Sequence, residues 1–596
     1  MEFRGTDHGV TRGGSPAVER DDGGARSSWS FFERVERAIY KVRSPCGETK
    51  DAARGKPEMT EAAAAPPSRD LPPVLGRLLG GSLLLALRVP LQTVLALWSV
   101  PLILRSLGED LNGAYVFAWS FGFLQSLLEF GMSSSLQRQI SEAWTKGDRE
   151  GVDRGVACGM NFYAVVSIVQ AAVLLAIAHG ALPNSGYVGK SYNLILKLLW
   201  LQVFTAPFYG LSMVVSSVLQ AARRYDFIPR LEVFIVVSRF VILVTGLRLG
   251  VDFFLIVAAQ TVVQIGMALI PSIYVMTRDL GFRPHFRGAR RSDYASLLRT
   301  SFYMFLLQLS VVLATSVDTT ILFFALPDPG RATTIYNNVS KAFVHIRQTG
   351  WTLAYLVLPA VASLVAARDH EGLDRVKYDG PRLHAGVLLP IALLAWLYAE
   401  PFLWLWVGKE YASWAYLMRL FLVASLPLWI AVQVQAVIGM GKVEVVALLS
   451  LAGSLVNLPL SYFLTRKIGV AGVIWGTVLT TLFANWLAPG VYVFRILNIN
   501  LRTYFFRTLA APLAGAFALV PASWATGRFL SPEPHAGGTI ARVGPLLVHL
   551  CVGCAAYLIG YACVAAGRED LVKLARRLRR FRFVSTPIVP ADEVST

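Results

Sequence analysis

From Leu78 onward the chain alternates long apolar runs with short polar turns, and fourteen of the runs approach or exceed the roughly 20 residues a helix needs to cross hydrocarbon. Their approximate limits are 78–104, 112–132, 157–181, 194–219, 231–248, 251–276, 297–324, 333–365, 382–405, 414–438, 443–464, 469–494, 504–527 and 543–566. β-barrel strands would be shorter and polar at every second position, so helices are the expected spanning form. Before Leu78 the pattern vanishes. Residues 1–70 are rich in Gly, Pro, Ser and mixed charge and read as disordered. One island, Trp29 to Val42, sets Phe31, Phe32, Val35 and Ile39 near helical spacing, either as a helix lying on the membrane surface or as an accident of composition. The start lacks the charged-then-apolar order of a secretory signal, and Met59 offers an alternative start.

The polar turns carry a repeat. Gly147-Asp148-Arg149-Glu150-Gly151-Val152-Asp153-Arg154 returns 221 residues later as Arg368-Asp369-His370-Glu371-Gly372-Leu373-Asp374-Arg375. Tyr115 and Tyr336 stand at the same offset, and Pro271-Ser272-Ile273-Tyr274-Val275 returns as Pro489-Gly490-Val491-Tyr492-Val493 at offset 218. Spans 1–6 therefore match spans 7–12. Six is an even number, so both copies enter the membrane from the same side, with their symmetry axis along the membrane normal. The expected chain is an all-α polytopic membrane protein with two six-helix lobes and two extra helices. Its parts are a disordered cytoplasmic tail (1–77), an N-lobe (78–276), a C-lobe (297–494), helices 13 and 14 (504–566) and a basic cytoplasmic tail (567–596). Two lobes imply a cleft, and a cleft that opens to either side in turn implies transport.

Composition agrees with this. The chain is 55% apolar and 16% charged, against about a quarter charged in soluble domains. Its net charge of +18 does not point to nucleic acid, because residues 1–77 hold 13 Lys/Arg and 12 Asp/Glu and the excess sits beside the spans. Alternate loops divide the cations 21 to 9, the richer set running from Arg138 to Arg507. That set is assigned to the cytoplasm, and an even span count puts both termini there. The C-terminal run with Arg576, Arg577, Arg579, Arg580 and Arg582 then lies against anionic lipid. Cys551 and Cys554 form a CxxC near His549, but no second ligand pair accompanies them, and they read as small residues in an apolar helix.

Several passages are recognisable. Leu107-Gly108, Asn112-Gly113-Ala114-Tyr115, Leu127-Leu128-Glu129-Phe130-Gly131-Met132 and the stretch from Arg138 to Gly147-Asp148 follow one another in order. Leu219-Gln220 with Arg224-Tyr225-Asp226, and Leu403-Trp404-Leu405-Trp406-Val407-Gly408-Lys409-Glu410-Tyr411, continue the series. This set resembles the oligosaccharide-lipid flippases of the polysaccharide-export family, within the multidrug/oligosaccharidyl-lipid/polysaccharide exporter superfamily. That family usually has Asp where this chain has Glu129. The resemblance implies bacterial polysaccharide assembly, in lipopolysaccharide or exopolysaccharide, at the cytoplasmic (inner) membrane. The substrate would be an undecaprenyl-diphosphate-linked oligosaccharide. The partners would be membrane lipid, a polysaccharide polymerase and the export machinery.

Such a substrate needs a hydrated cationic path for its head, while its tail stays in lipid. Polar residues inside spans are costly and so mark that path. Span 1 offers Arg88 and Gln92 on one face. Span 8 offers a stripe of Asn337 or Asn338, Lys341, His345 and Gln348, with Arg347 bordering it. Arg239 in span 5 is a further candidate for substrate binding. Gln125 and Glu129 lie four apart in span 2, and span 7 holds Gln308 and Asp318. Glu129 and Asp318 are the candidates for binding a coupling proton or Na⁺, or for neutralising a buried cation; Glu129 also counts among the cleft residues. Asp318 is expected near the outer end of its span. Asn161, Asn457 and Asn485 read as helix–helix glue. No nucleophile–base constellation, phosphate-cradling Gly loop or metal cluster appears, so neither an enzyme nor a cofactor is expected. The alternatives are a cation-coupled drug antiporter of the same superfamily, which favours twelve spans and an acidic cavity, and a membrane glycosyltransferase or repeat-unit polymerase, which favours a long external loop.

Overall fold

The computed structural model describes residues 71–582, apart from 130–131, 223–226, 292, stretches within 295–316 and 356–367, and 532–538. Side chains are described between Leu91 and Arg576, with gaps that include Gln125. Expectations for Arg88, Gln125, the island at Trp29 to Val42 and the tails before Leu71 and after Arg582 fall outside the described residues, whereas residues 567–582 of the expected basic tail form part of a helix.

Among the described residues every regular element is helical. In chain order these are α1 (Leu71–Ser120), α2 (Phe123–Leu128), α3 (Met132–Thr145), α4 (Arg149–Ala176), α5 (Gly189–Ala221), α6 (Phe227–Arg248), α7 (Phe253–Tyr274), α8 (Asp318–Ala325), α9 (Pro329–Tyr355) and α10 (His370–Leu397). They continue as α11 (Ala399–Trp406), α12 (Ala415–Val423), α13 (Ala431–Gly439), α14 (Glu444–Ile468), α15 (Val470–Thr480), α16 (Ala488–Ile496), α17 (Leu501–Phe529), α18 (Thr539–Cys563) and α19 (Ala565–Arg582). Each of the fourteen expected spans carries helix over at least part of its length. Ten helices among the described residues are long and apolar enough to cross a membrane.

α1 holds two spans. Gly108 breaks it with φ 78, ψ 176, a conformation that glycine alone adopts cheaply. On a straight helix Gln92 and Ser120 would stand about 42 Å apart, yet both line one cavity. The chain therefore doubles back at Gly108, where the sequence predicts the first loop.

The repeated passage folds the same way twice. Asp148 Oδ1 accepts from Gly151 N–H at 2.8 Å, and Asp369 Oδ1 accepts from Gly372 N–H at 2.9 Å, each capping a helix N-terminus. One turn in, Arg154 pairs with Glu150 at 2.6 Å and Arg375 with Glu371 at 3.2 Å. The residue before each cap is left-handed, Gly147 at φ 70 and Arg368 at φ 53. Glycine suits this position, whereas Arg368 tolerates it at some strain.

Packing falls into cores drawn mainly from one half each, with Leu104 and Phe323 crossing between them. In the first half, one core gathers Phe117, Ile195, Leu198 and Ile256, and another gathers Leu136, Val156 and Val218. In the second half, Val339, Phe421 and Ile474 share a core. The pair α17–α18 attaches to that half through Leu389, Leu394, Tyr398, Leu519 and Tyr557. Gly515 makes this pairing close, because a Cβ there would meet the Tyr557 ring at 2.7 Å. His549 is spent on the same contact. Its Nε2–H donates to the Leu530 carbonyl at 2.8 Å and its Nδ1 accepts from the Tyr398 hydroxyl at 2.9 Å, while Cys551 and Cys554 face outward.

A buried ionic knot fastens α19 beneath the bundle. Arg382 donates from Nε and Nη2 to the two Asp570 oxygens at 2.7 and 3.0 Å, and from Nη1 to Asp379 and to the Arg507 carbonyl. Arg507 pairs with both Asp379 oxygens, and the Tyr561 hydroxyl donates to Asp570. Two arginines meet two aspartates, so the knot is neutral and its donors are satisfied.

Candidate functional site: a cationic chamber under a seal

The polar residues of the first half converge on one cavity of about 430 Å³. The first stretch of α1 contributes Gln92, Leu95 and Ser99, and the second contributes Asn112, Tyr115 and Trp119, in both cases at the spacing of a single helical face. α6 adds Arg239 and Phe240, α7 adds Phe253 and Gln260, and α9 reaches in from the second half with Asn337 and Lys341, four residues apart. Gln260 Nε2 donates to the Arg239 carbonyl at 2.7 Å and ties α7 to α6 beside the guanidinium. Tyr115 is braced by Trp119, stacked at 6.1 Å, and by Phe253, edge-on at 5.2 Å. Among the described residues no carboxylate pairs with Arg239 or Lys341. Two unneutralised cations at bilayer depth need water or an anionic ligand beside them.

Four sequence candidates, Gln92, Arg239, Asn337 and Lys341, thus come together. The others lie elsewhere. His345 sits 3.5 Å from Thr93 Oγ1, where α9 passes α1. Gln348 leaves the stripe and lines a second cavity of about 340 Å³ within the second half, together with Arg347, Gln308, Gln435 and Asn485. Arg347 is therefore a wall residue there rather than a border of the first. Glu129 lies outside the chamber, half-buried, accepting from the Tyr163 hydroxyl at 3.2 Å. Asp318 is 1% exposed and lies in the interior of the second half. It accepts from the Tyr336 hydroxyl at 2.6 Å and from Thr477 Oγ1 at 3.0 Å. Asn338 is buried without a partner for its amide. Asn457 does act as glue, accepting from Ser461 and Thr480, and Asn161 pins the Phe286 carbonyl. Sequence reasoning names Asn112 only within a recognisable passage and Gln260 not at all as cleft residues; an amide within an apolar span is the signal that marks them.

Above the chamber the two halves are locked together. Thr334 Oγ1 donates to the Glu109 carbonyl at 2.7 Å and accepts from Asn112 Nδ2 at 3.1 Å. Glu109 also takes the Tyr411 hydroxyl at 2.8 Å and Arg331 at 3.3 Å. Trp406 Nε1 donates to the Leu97 carbonyl, and Phe117 stacks on Phe323 at 4.3 Å. Gly113 faces the Gly330 backbone so closely that a Cβ would overlap it. A Gly113→Leu variant is therefore expected to hold this end apart. A thiol introduced as Ser99→Cys should then react with a membrane-impermeant reagent applied from that side, and remain protected with Gly113 intact. Equal protection in both would show that the close approach is not required.

Membrane-length helices whose two halves meet over a polar chamber define a polytopic membrane fold with an internal cavity. The chain aligns at TM-score 0.59 with a lipid II flippase, MurJ, in an inward closed conformation, at 13% identity, covering 82% of this chain and all of that one. It aligns at TM-score 0.58 with an inward-facing multidrug resistance MATE family transporter, at 16% identity, covering 68% and 94%. An uncharacterised membrane protein, EpsK, of Bacillus subtilis (strain 168) is 23% identical over 445 residues, which is 72% of this chain and 85% of EpsK. Residues 78–364 match the polysaccharide biosynthesis protein family. Over those residues, just under half of its length, the chain is similar to that family.

Proposed function

We propose that the protein carries an undecaprenyl-diphosphate-linked oligosaccharide from the cytoplasmic to the outer leaflet by alternating access. The observation that supports this most is the meeting of Arg239 and Lys341, cations from opposite halves, in one chamber with no carboxylate among its described lining residues. A diphosphate offers both of them acceptors at once. The amides of Gln92, Asn112, Gln260 and Asn337, with the faces of Tyr115 and Trp119, suit sugar hydroxyls and rings. Lys341 moves with the second half and Arg239 with the first, so closing on the head group draws the lobes together. With the cation-rich loops assigned to the cytoplasm, the Glu109–Thr334–Tyr411 contacts serve as a seal at the outer end. The isoprenoid tail stays in lipid, along α17 and α18. The same two cations disfavour an organic-cation drug as cargo.

Of the two candidates for a coupling ion, Asp318 fits better than Glu129, being the more deeply buried and held by hydroxyls that can be exchanged for a cation. An Asp318→Asn variant is expected to abolish the dependence of transport on an ion gradient while leaving substrate binding within about twofold. Unchanged gradient dependence would remove Asp318 from coupling. The proposal as a whole is tested in cells that lack the gene and are supplied with Lys341→Gln at normal protein level. Surface polysaccharide should fall sharply, and full export would overturn the assignment.

A further inference from the structure

We propose that the cavity within the second half is a separate binding site for a lipid phosphate, an amphipathic anion held by Arg347. It is built by Gln308 and Val311 of span 7, by α9, α13 and α14, and by Thr477, Thr481, Asn485 and Pro489 of the span that begins with α15. Spans 7, 8, 11 and 12 are the repeat counterparts of spans 1, 2, 5 and 6, which with Asn337 and Lys341 of span 8 line the first chamber; span 10, which carries Gln435, adds a wall with no counterpart there. The second hollow thus lies within one half, whereas the first is shared between the halves, and among the described residues each is lined by one arginine.

The two hollows differ in chemistry. The first is lined by amides and two cations. The second surrounds a single cation with Phe343, Trp351, Tyr355, Val434 and Ile438, a largely apolar wall. Its volume of about 340 Å³ falls within the range of small-molecule sites, which are mostly apolar with a few fixed polar groups. Two of those groups await a partner, since Arg347 Nε and Gln435 Oε1 are buried without a hydrogen bond. Buried polar atoms are nearly always paired, so an orphaned donor and acceptor facing one hollow point to an occupant. Arg347 lies over the Phe343 ring at 5.9 Å, which fixes one face and leaves its edge for an anion. The acceptor on Gln435 suits the proton of a monoanionic phosphate. Thr477 lines this hollow and donates to Asp318, so an occupant here touches the same helix that holds the buried carboxylate.

The site is tested on the full-length protein in detergent with radiolabelled decyl phosphate as the probe. Saturable binding is expected, displaced by neither decanol nor inorganic phosphate at equal concentration, because each carries only half of the recognised chemistry. Geranyl phosphate and dioctanoyl phosphatidic acid as competitors separate an isoprenoid source from a diacyl one; the stronger competitor names it. Arg347→Gln should weaken binding about tenfold or more, and Arg347→Lys should restore part of it. Should Arg347→Gln fail to fold, Ile438→Trp fills the hollow without touching a charge and should also abolish binding. No saturable binding, or binding unchanged in both variants, overturns the proposal. Binding lost in Arg239→Gln but kept in Arg347→Gln would place the probe in the first chamber and overturn it equally. Glycolipid transport is read separately, so its failure is distinguishable from failure here.

Discussion

Replacing Arg239 and Lys341 together by glutamine is expected to stop glycolipid transport while leaving the protein as stable as before, or more so. The two effects have opposite signs for one reason. A charge-assisted hydrogen bond contributes about 1.5–3 kcal/mol, so losing both cations removes about 3–6 kcal/mol of head-group binding, on the order of a hundredfold or more in affinity. In the empty chamber the same cations have no counter-charge among the described residues, and an uncompensated charge at this depth opposes folding. Glutamine keeps the length and polarity of the side chain. A merely structural role predicts the reverse, with a lower melting temperature and transport that follows protein level. Substrate-stimulated thermal shift and export, measured on the same variants, separate the two. Each single variant should retain partial transport, because one cation still meets the diphosphate.

The second large effect is on stability. Asp570→Ala leaves Arg382 buried at 5% exposure, without its bidentate partner. Breaking a buried pair from one side costs about 3–5 kcal/mol. The loss falls on the attachment of α19 and on the adjoining ends of α10 and α17, which share the knot through Asp379 and Arg507. Thermal unfolding in detergent should shift down by several degrees, and limited proteolysis should release the C-terminal segment first. Replacing both partners, as Arg382→Met with Asp570→Leu, should recover much of the loss, because no lone charge remains. An Asp570→Ala protein that melts normally and resists proteolysis would show that the knot does not hold α19.

Much of this architecture is legible in the sequence, for physical reasons. Span length and the cost of polar backbone in hydrocarbon make the fourteen apolar runs easy to read. The repeated passage is legible because it encodes a local structure, with Asp148 and Asp369 capping helices and Arg154 and Arg375 pairing one turn on. Such hydrogen bonds depend on neighbours in the chain. What each polar residue faces does not. Asn337 and Gln348 lie on nearly one face of a helical wheel, which ignores height. Gln348 sits roughly 16 Å farther along the axis, where α9 packs on α13 and borders the second hollow, so it enters that one. Asp318 is expected near a span end, yet tertiary packing encloses it between Tyr336 and Thr477. The seal was equally hidden. Glu109, Thr334 and Tyr411 lie in three separate turns, and only the folded chain brings them together.

The central claim is that Arg239 and Lys341 face a single anion-binding chamber through which the head group passes. The most direct test is translocation of a fluorescent, short-chain prenyl-diphosphate-linked sugar in vesicles containing only the purified protein, followed by quenching from one side. The intact protein should move the sugar to the far leaflet. The Arg239→Gln and Lys341→Gln double variant, folded and inserted to the same extent, should leave it where it started. Movement of the sugar at the same rate in both would contradict the account.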